Sequence, residues 1–158
     1  MNLSIRPIQV EDLDNIVSLM REFAAYENLS EYCEVTVERL SAAMFGEVSS
    51  VEGLIASDGE TPIGYALYYP NFASFRGQRG LYLEDLYIAD DFRGKAIGES
   101  LIKEMARIAA SRGFERIDFM VLDWNESATR FYQQLGAIRD DTERHFKFTD
   151  DAFKKLCQ

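Results

Sequence analysis

Apolar positions along the chain alternate between short strand-like runs and helical stripes, and their order predicts the elements. Leu3 to Ile8 reads as a first strand, ended by Arg6-Pro7. Leu13, Ile16, Val17, Met20, Phe23 and Ala24 then recur at helical spacing and close at Tyr26-Glu27. Glu11, Asp12 and Asp14 suit the positive N-terminal end of that helix. Thr36 is placed to cap a second, short helix through Met44, stopped by Gly46. Val51 to Ala56 and Ile63 to Tyr69 read as paired strands around an Asp58-Gly59 turn. Pro70 to Gly80 predicts a long loop, aromatic and basic, of a kind that sits beside a site.

The middle of the chain organises the rest. Leu81 to Ile88 is a predicted central strand, apolar toward both faces and interrupted only by Glu84 and Asp85. Asp90-Asp91 break the run, and Arg93-Gly94-Lys95-Ala96-Ile97-Gly98 forms a tight basic loop. From Glu99 a helix is marked by Leu101, Ile102, Met105, Ile108 and Ala109 and ends at Gly113. Arg116 to Leu122 alternates as a further strand. Asn125 can cap a helix that turns Ala128, Phe131 and Leu135 inward and has Gly136 just past its end. Arg144 to Phe148 is the last predicted strand, with His145 on its surface, and Asp150 caps a terminal helix ending in Lys154-Lys155.

Strand, basic glycine loop and helix start together make a place for a phosphorylated ligand. The first backbone N–H groups of a helix have no intrahelical partner, and the helix dipole favours an anion there. Arg93 and Lys95 add charge, while Gly94 and Gly98 let a ligand approach the backbone. Taken alone, the same residues describe an ordinary α/β turn equally well.

At 158 residues the chain is long enough for one domain, 1–158, with a core needing neither disulfide nor metal. Cys33 and Cys157 are read as reduced thiols, and no Cys/His or carboxylate cluster has metal-site spacing. No apolar run approaches the ~20 residues of a membrane span, and the N-terminus lacks a signal peptide's layout, so a cytoplasmic location is expected. The net charge of -10 argues against nucleic acid and anionic membranes as partners. Residues 11–60 carry twelve acidic and two basic side chains, whereas residues 61–158 carry fifteen and fourteen. That distribution suits one cationic and one anionic ligand, or else simply solvated helix faces.

The loop from Arg93 to Gly98 resembles the acetyl-CoA motif of the GNAT superfamily of N-acetyltransferases, R/Q-x-x-G-x-G/A after a strand, with Ala96 in place of the first glycine. Asn125 to Gly136 is similar to the same family's N-x-x-A-x-x-F-Y-x-x-x-G pattern. Leu81 to Ile88 followed by the basic loop looks most like the diamine (spermidine/spermine) and thialysine acetyltransferase branch. The resemblance implies an α/β fold: a mixed, mostly antiparallel sheet with a splayed parallel strand pair and helices on both faces. It implies acetyl-CoA as co-substrate, a small primary amine as acceptor and a homodimer. A protein-lysine acetyltransferase and a non-catalytic acetyl-CoA sensor are the alternatives.

Acetyl transfer to an amine makes three demands, and the resemblance assigns residues to each. A primary amine of pKa ~10.4 must lose its proton, and Glu84 lies where the family has a glutamate at the amine end, with Tyr26 and Glu27 beside it. Adjacent Glu84 and Asp85 should face opposite ways unless a bulge intervenes, so one at most is expected to be catalytic, and Glu84 is favoured. The thioester carbonyl must be polarised, for which backbone N–H groups of Leu86, Tyr87 and Ile88 serve if the strand bulges or splays. The leaving thiolate must be protonated, a role that falls to Tyr132. Arg93, Gly94, Lys95, Ala96, Ile97, Gly98 and Glu99 would bind the pyrophosphate, and Asn125 and Ala128 the pantetheine arm. Polyamine enzymes of this branch carry an acid and a tryptophan in the segment matching Pro70–Gly80. Here no carboxylate occurs between Thr61 and Leu83, which places a thialysine-like or other short amine beside spermidine as an acceptor.

Overall fold

A computed structural model describes residues 1–157. Two compact units make up the chain, Met1–Met120 and the residues from Val121 on. The first holds one five-stranded sheet in the order β1-β2-β3-β4-β5, formed by Leu3–Pro7, Glu52–Asp58, Thr61–Ala73, Gln78–Ile88 and Arg116–Phe119. Neighbours pair antiparallel except β4 and β5, which run parallel from Gly80 opposite Arg116 to Leu83 opposite Phe119. β4 continues five residues past that last pair to Ile88, which is the splay expected of the parallel strands.

Three helices belong to this unit: α1 (Leu13–Tyr26), α2 (Val37–Phe45) and α3 (Ile97–Ser111). Alternation along β3 decides which side each covers. Tyr65 and Leu67 join Ile16, Val17, Leu19, Leu40 and Met44 in one buried cluster, so α1 and α2 lie on that face. Tyr68 points the other way, toward Glu104 and Arg112 at α3. Thr36 caps α2 as expected, its Oγ1 accepting from the Arg39 N–H at 3.2 Å, and Gly46 ends the helix. α1 is tied to β1 by Arg6, whose guanidinium donates two hydrogen bonds to buried Asp12 at 2.6 and 2.8 Å.

The expected loop from Pro70 to Gly80 is instead strand. β3 runs on to Ala73 and β4 begins at Gln78, leaving a short turn at Ser74–Gly77. Past Tyr68 there is no β2 residue in register, so Pro70 lacks a neighbour on one side, where its missing N–H is tolerated. Gly80 is required by packing: a Cβ there would lie 2.7 Å from the Arg116 carbonyl oxygen across the β4–β5 pair.

The second unit contains α4 (Glu126–Gln134) and α5 (Asp150–Leu156). Asn125 caps α4, its Oδ1 accepting from the Ala128 N–H at 3.1 Å, and Gly136 follows with φ of 93°. Leu135 does not turn inward as its spacing suggested but is exposed at the end of α4. The strand expected from Arg144 to Phe148 does not form. That segment has no ladder partner among the described residues, and Phe146 and Phe148 are exposed. Thr149, rather than Asp150, occupies the cap position of α5.

Candidate active site

β4 contains a bulge, and it reorganises the acidic pair. Leu83 lies opposite Tyr68 and Asp85 opposite Leu67, so Glu84 is one extra residue with no partner in β3. The bulge turns both carboxyls to the α1 side. Tyr69 and Tyr65, four residues apart on that face of β3, donate to them: Tyr69 Oη to Glu84 Oε2 at 3.1 Å, and Tyr65 Oη to Asp85 Oδ2 at 3.0 Å. Opposite faces were expected in the absence of a bulge; the bulge is present.

The two carboxyls differ in environment. Glu84 is exposed, and its partner Tyr69 is pushed up to about 12 by burial and by the Glu84 charge. Asp85 is held in a half-buried place, where desolvation lifts it to about 6, helped by Glu84 and opposed by the Tyr65 hydrogen bond. Tyr65 is fully buried and is raised well above the usual phenol range, first by burial and then by Asp85. Neither Tyr65 nor Tyr69 stood out in the sequence; their signal was only an aromatic repeat of four in a strand.

Tyr26 and Glu27 end α1 on this face. Glu27 is half-buried and lifted by burial and then by the Asp85 charge. Tyr26 lies beneath the Arg93 guanidinium, 4.3 Å from its ring centroid, and Arg93 also stands 5.4 Å over Tyr87. A cavity of about 410 Å³ opens here, lined by Glu22, Tyr26, Tyr87, Asp90 and Phe92 among others.

Backbone geometry sorts the expected amide donors. Ala89 N–H donates to Ile63 O at 2.9 Å, and in an antiparallel ladder such pairs alternate. Tyr65–Tyr87 and Leu67–Asp85 are therefore of the same kind, and the Tyr87 N–H faces β3. Leu86 and Ile88 turn their N–H groups to the opposite edge, past the last β4–β5 pair. Of the three expected donors, two point to the splay.

The loop before α3 is a fit for a phosphorylated group at its backbone. Ala96, the N-cap of α3, has φ of 58°, in the left-handed region where the family's pattern has glycine. Gly94 has φ of 73° and open space where a side chain would stand. Ile97, Gly98 and Glu99 supply the first helical N–H groups. The two cations of the loop turn back on it instead. Arg93 donates from Nε to Ile88 O at 3.0 Å and pairs with Asp90 at 2.6 Å, and Lys95 donates to Asp91 O at 2.9 Å.

In the second unit, Tyr132 lies on α4 with its ring edge-on to Phe131 at 5.0 Å, and Asn125 and Ala128 start the same helix. Among the described residues no group of three or more His, Cys, Asp or Glu side chains could hold a metal. Among the described residues no helix is long and apolar enough to cross a membrane.

A bulged central strand, a splayed parallel partner and a helix-start loop make up the scaffold of the site, and comparison with known proteins gives its family. Residues 16–137 match the model of the Acetyltransferase (GNAT) family, and the chain belongs to that family of acetyltransferases, which use acetyl-CoA as co-substrate. It is 37% identical over 165 aligned residues to the thialysine N-epsilon-acetyltransferase of Bos taurus, covering 97% of this chain and 96% of that protein. It is 31% identical to the Caenorhabditis elegans protein of the same name, covering 95% and 92%. Among solved structures, an integron cassette protein from the mobile metagenome of V. cholerae superposes with a TM-score of 0.84 at 24% identity, covering 100% of this chain and 99% of that one.

Proposed function

We infer that the chain transfers the acetyl group of acetyl-CoA to a primary amine of a small molecule by direct attack. The observation that carries this reading is the β4 bulge, which sets Glu84 beside a half-buried acidic and aromatic face of the kind an ammonium group prefers. The names of the full-length relatives, thialysine acetyltransferases, support a short amine as acceptor.

In this reading Glu84 takes the proton from the ammonium, directly or through water, so that the free amine can attack the thioester carbon. Tyr69 holds the Glu84 carboxylate in place. The N–H groups of Leu86 and Ile88 bind the pantetheine and the acetyl oxygen as charge develops there. The backbone from Gly94 to Glu99 binds the pyrophosphate, with Arg93 and Lys95 shaping the loop. The motif assigns Tyr132 the protonation of the leaving thiolate and Asn125 and Ala128 the pantetheine arm. Tyr26 and Glu27 bind the acceptor. The reaction needs no covalent enzyme intermediate.

The same reading takes residues 1–158 as a single catalytic domain located in the cytoplasm and, on the strength of the family resemblance, as one half of a homodimer. Incubation with acetyl-CoA and a panel of small amines, beside a lysine peptide, tests the function by thiol release. Thialysine, ornithine-like amines or short diamines should react. Reaction with the peptide alone would replace this reading with protein-lysine acetylation, and light scattering that reports only an 18 kDa species would remove the dimer.

A further inference from the structure

α1 is buried along its first half, at Leu13, Ile16, Val17 and Leu19. Its last turns border the cavity of about 410 Å³, with Glu22, Ala25 and Tyr26 on the helix side and Tyr87, Asp90 and Phe92 among the residues opposite. Aromatic contacts bridge that gap. Phe23 stacks on Tyr87 at 5.4 Å, and the Tyr87 hydroxyl donates to Glu22 Oε2 at 3.4 Å. Arg93 adds to the bridge from the loop before α3, its guanidinium 4.3 Å from the Tyr26 ring centroid and 5.4 Å from that of Tyr87.

Two further partners fix that guanidinium. Its Nε donates to Ile88 O at 3.0 Å, and Nη1 pairs with Asp90 Oδ1 at 2.6 Å. A planar cation suits both tasks, since its edge makes the polar bonds while its faces meet the rings. None of these partners belongs to the start of α3, where the backbone offers its N–H groups to an anion. The motif that the loop resembles also admits glutamine at this position, so the pyrophosphate does not demand a charge here. We propose that Arg93 is a positioning residue for the acceptor amine: it clamps the end of α1 to the acetyl-CoA loop and so holds Tyr26 and Glu27 in place. The proposal rests on the amine-acetyltransferase reading and deepens it. A residue whose motif belongs to acetyl-CoA thus acts on the amine side of the reaction.

The test compares wild type with Arg93→Gln, which keeps the motif but cannot stack as a cation. With thialysine as acceptor, KM for the amine should rise about fivefold or more, as a lost cation–π contact implies. The acetyl-CoA Kd, measured by calorimetry, and kcat should each stay within about threefold. Arg93→Lys keeps a cation for the ring and should recover part of the loss. In a Tyr26→Leu background, Arg93→Gln should add less than about twofold, because the two side chains act as one unit. Hydrogen exchange in Arg93→Gln should quicken at the amides of Glu27 and Leu29, which bond back to Phe23 and Ala24, and not at those of Ile16 to Leu19. S-acetylpantetheine, which lacks the pyrophosphate, separates the alternative role. A variant that binds acetyl-CoA far more weakly yet matches wild type with S-acetylpantetheine would make Arg93 a phosphate ligand and overturn the proposal. An unchanged amine KM, or unchanged exchange at the end of α1, would overturn it too and leave the acetyltransferase reading standing. A wild-type protein that releases no thiol with any small amine would overturn both.

Discussion

Glu84 and Asp85 are neighbours in a strand and yet present their carboxyls to the same face, one held by Tyr69 and the other by Tyr65. Their environments separate their roles. Glu84 is exposed to solvent, whereas Asp85 is half-buried and lifted to about 6, burial being the first cause. Glu84→Gln keeps a partner for the Tyr69 hydroxyl and should leave the melting temperature unchanged. Activity should fall by roughly 10²–10⁴, the usual worth of a general base. The residual rate should climb with pH as more free amine becomes available. A rate equal to wild type at pH 7 would move the base elsewhere.

Ala96 holds a left-handed backbone at the start of α3. That conformation costs an L-residue about 1–2 kcal/mol, and glycine relieves it while adding entropy to the unfolded chain. Ala96→Gly should therefore stabilise the protein by about 0.5–1 kcal/mol, a rise of roughly 1–4 °C in Tm. Acetyl-CoA affinity, measured by calorimetry, should hold or improve. A large loss of affinity would mean that this loop does not bind the phosphates.

Tyr132→Phe keeps the ring that meets Phe131 edge-on, so the packing of α4 should survive. The lost hydroxyl should lower kcat by about 10²–10⁴ with little change in acetyl-CoA affinity, because the interaction develops in the transition state. Full kcat in the variant would make Tyr132 a packing residue.

Asp85 sets a pH dependence of stability. Its folded value of about 6 lies above the ordinary 3.8, so the folded state binds the proton more tightly than the unfolded state. The ionised form is destabilising; its full cost applies above pH 6 and is relieved as the pH falls from 6 toward 3.8. With Tyr65, Glu27 and Glu84 as its titratable neighbours, Asp85→Asn removes that cost but weakens the Tyr65 hydrogen bond. A net gain on the order of 1–2 kcal/mol, roughly 2–6 °C, is expected at pH 7.5 and should shrink toward pH 4. A variant less stable than wild type at pH 7.5 would show that the buried charge is compensated within the chain.

Local chemistry was legible in the sequence wherever one residue decides an outcome. Thr36 and Asn125 cap their helices, Gly46 and Gly136 end them, and Arg93 to Gly98 leads into α3. What depends on a partner was not. Pro70, Asn71, Ser74 and two glycines read as loop chemistry, yet Tyr69–Ala73 pairs with Gln78–Tyr82 because the hairpin continues beyond β2. Arg144 to Phe148 alternates like a strand, but a pattern supplies a face and not a neighbour. The bulge was the condition on which the Glu84–Asp85 geometry turned, and only the register of Leu67 and Tyr68 against β4 reveals it.

That register has a consequence for what the chain keeps. If Glu84 were deleted, Leu83 and Asp85 would follow one another opposite Tyr68 and Leu67, and every remaining β3–β4 pair would stay as it is. Leu81 and Leu83 would still be buried, Tyr87 would still meet Phe23, and the ladder would run without interruption. The sheet, in other words, is complete without position 84, and what that position adds is a carboxylate. A protein lacking Glu84 should fold as well as its parent or better and lose at least the roughly 10²–10⁴ in rate expected of Glu84→Gln, which would make that one residue a direct measure of how far selection for chemistry departs from selection for structure.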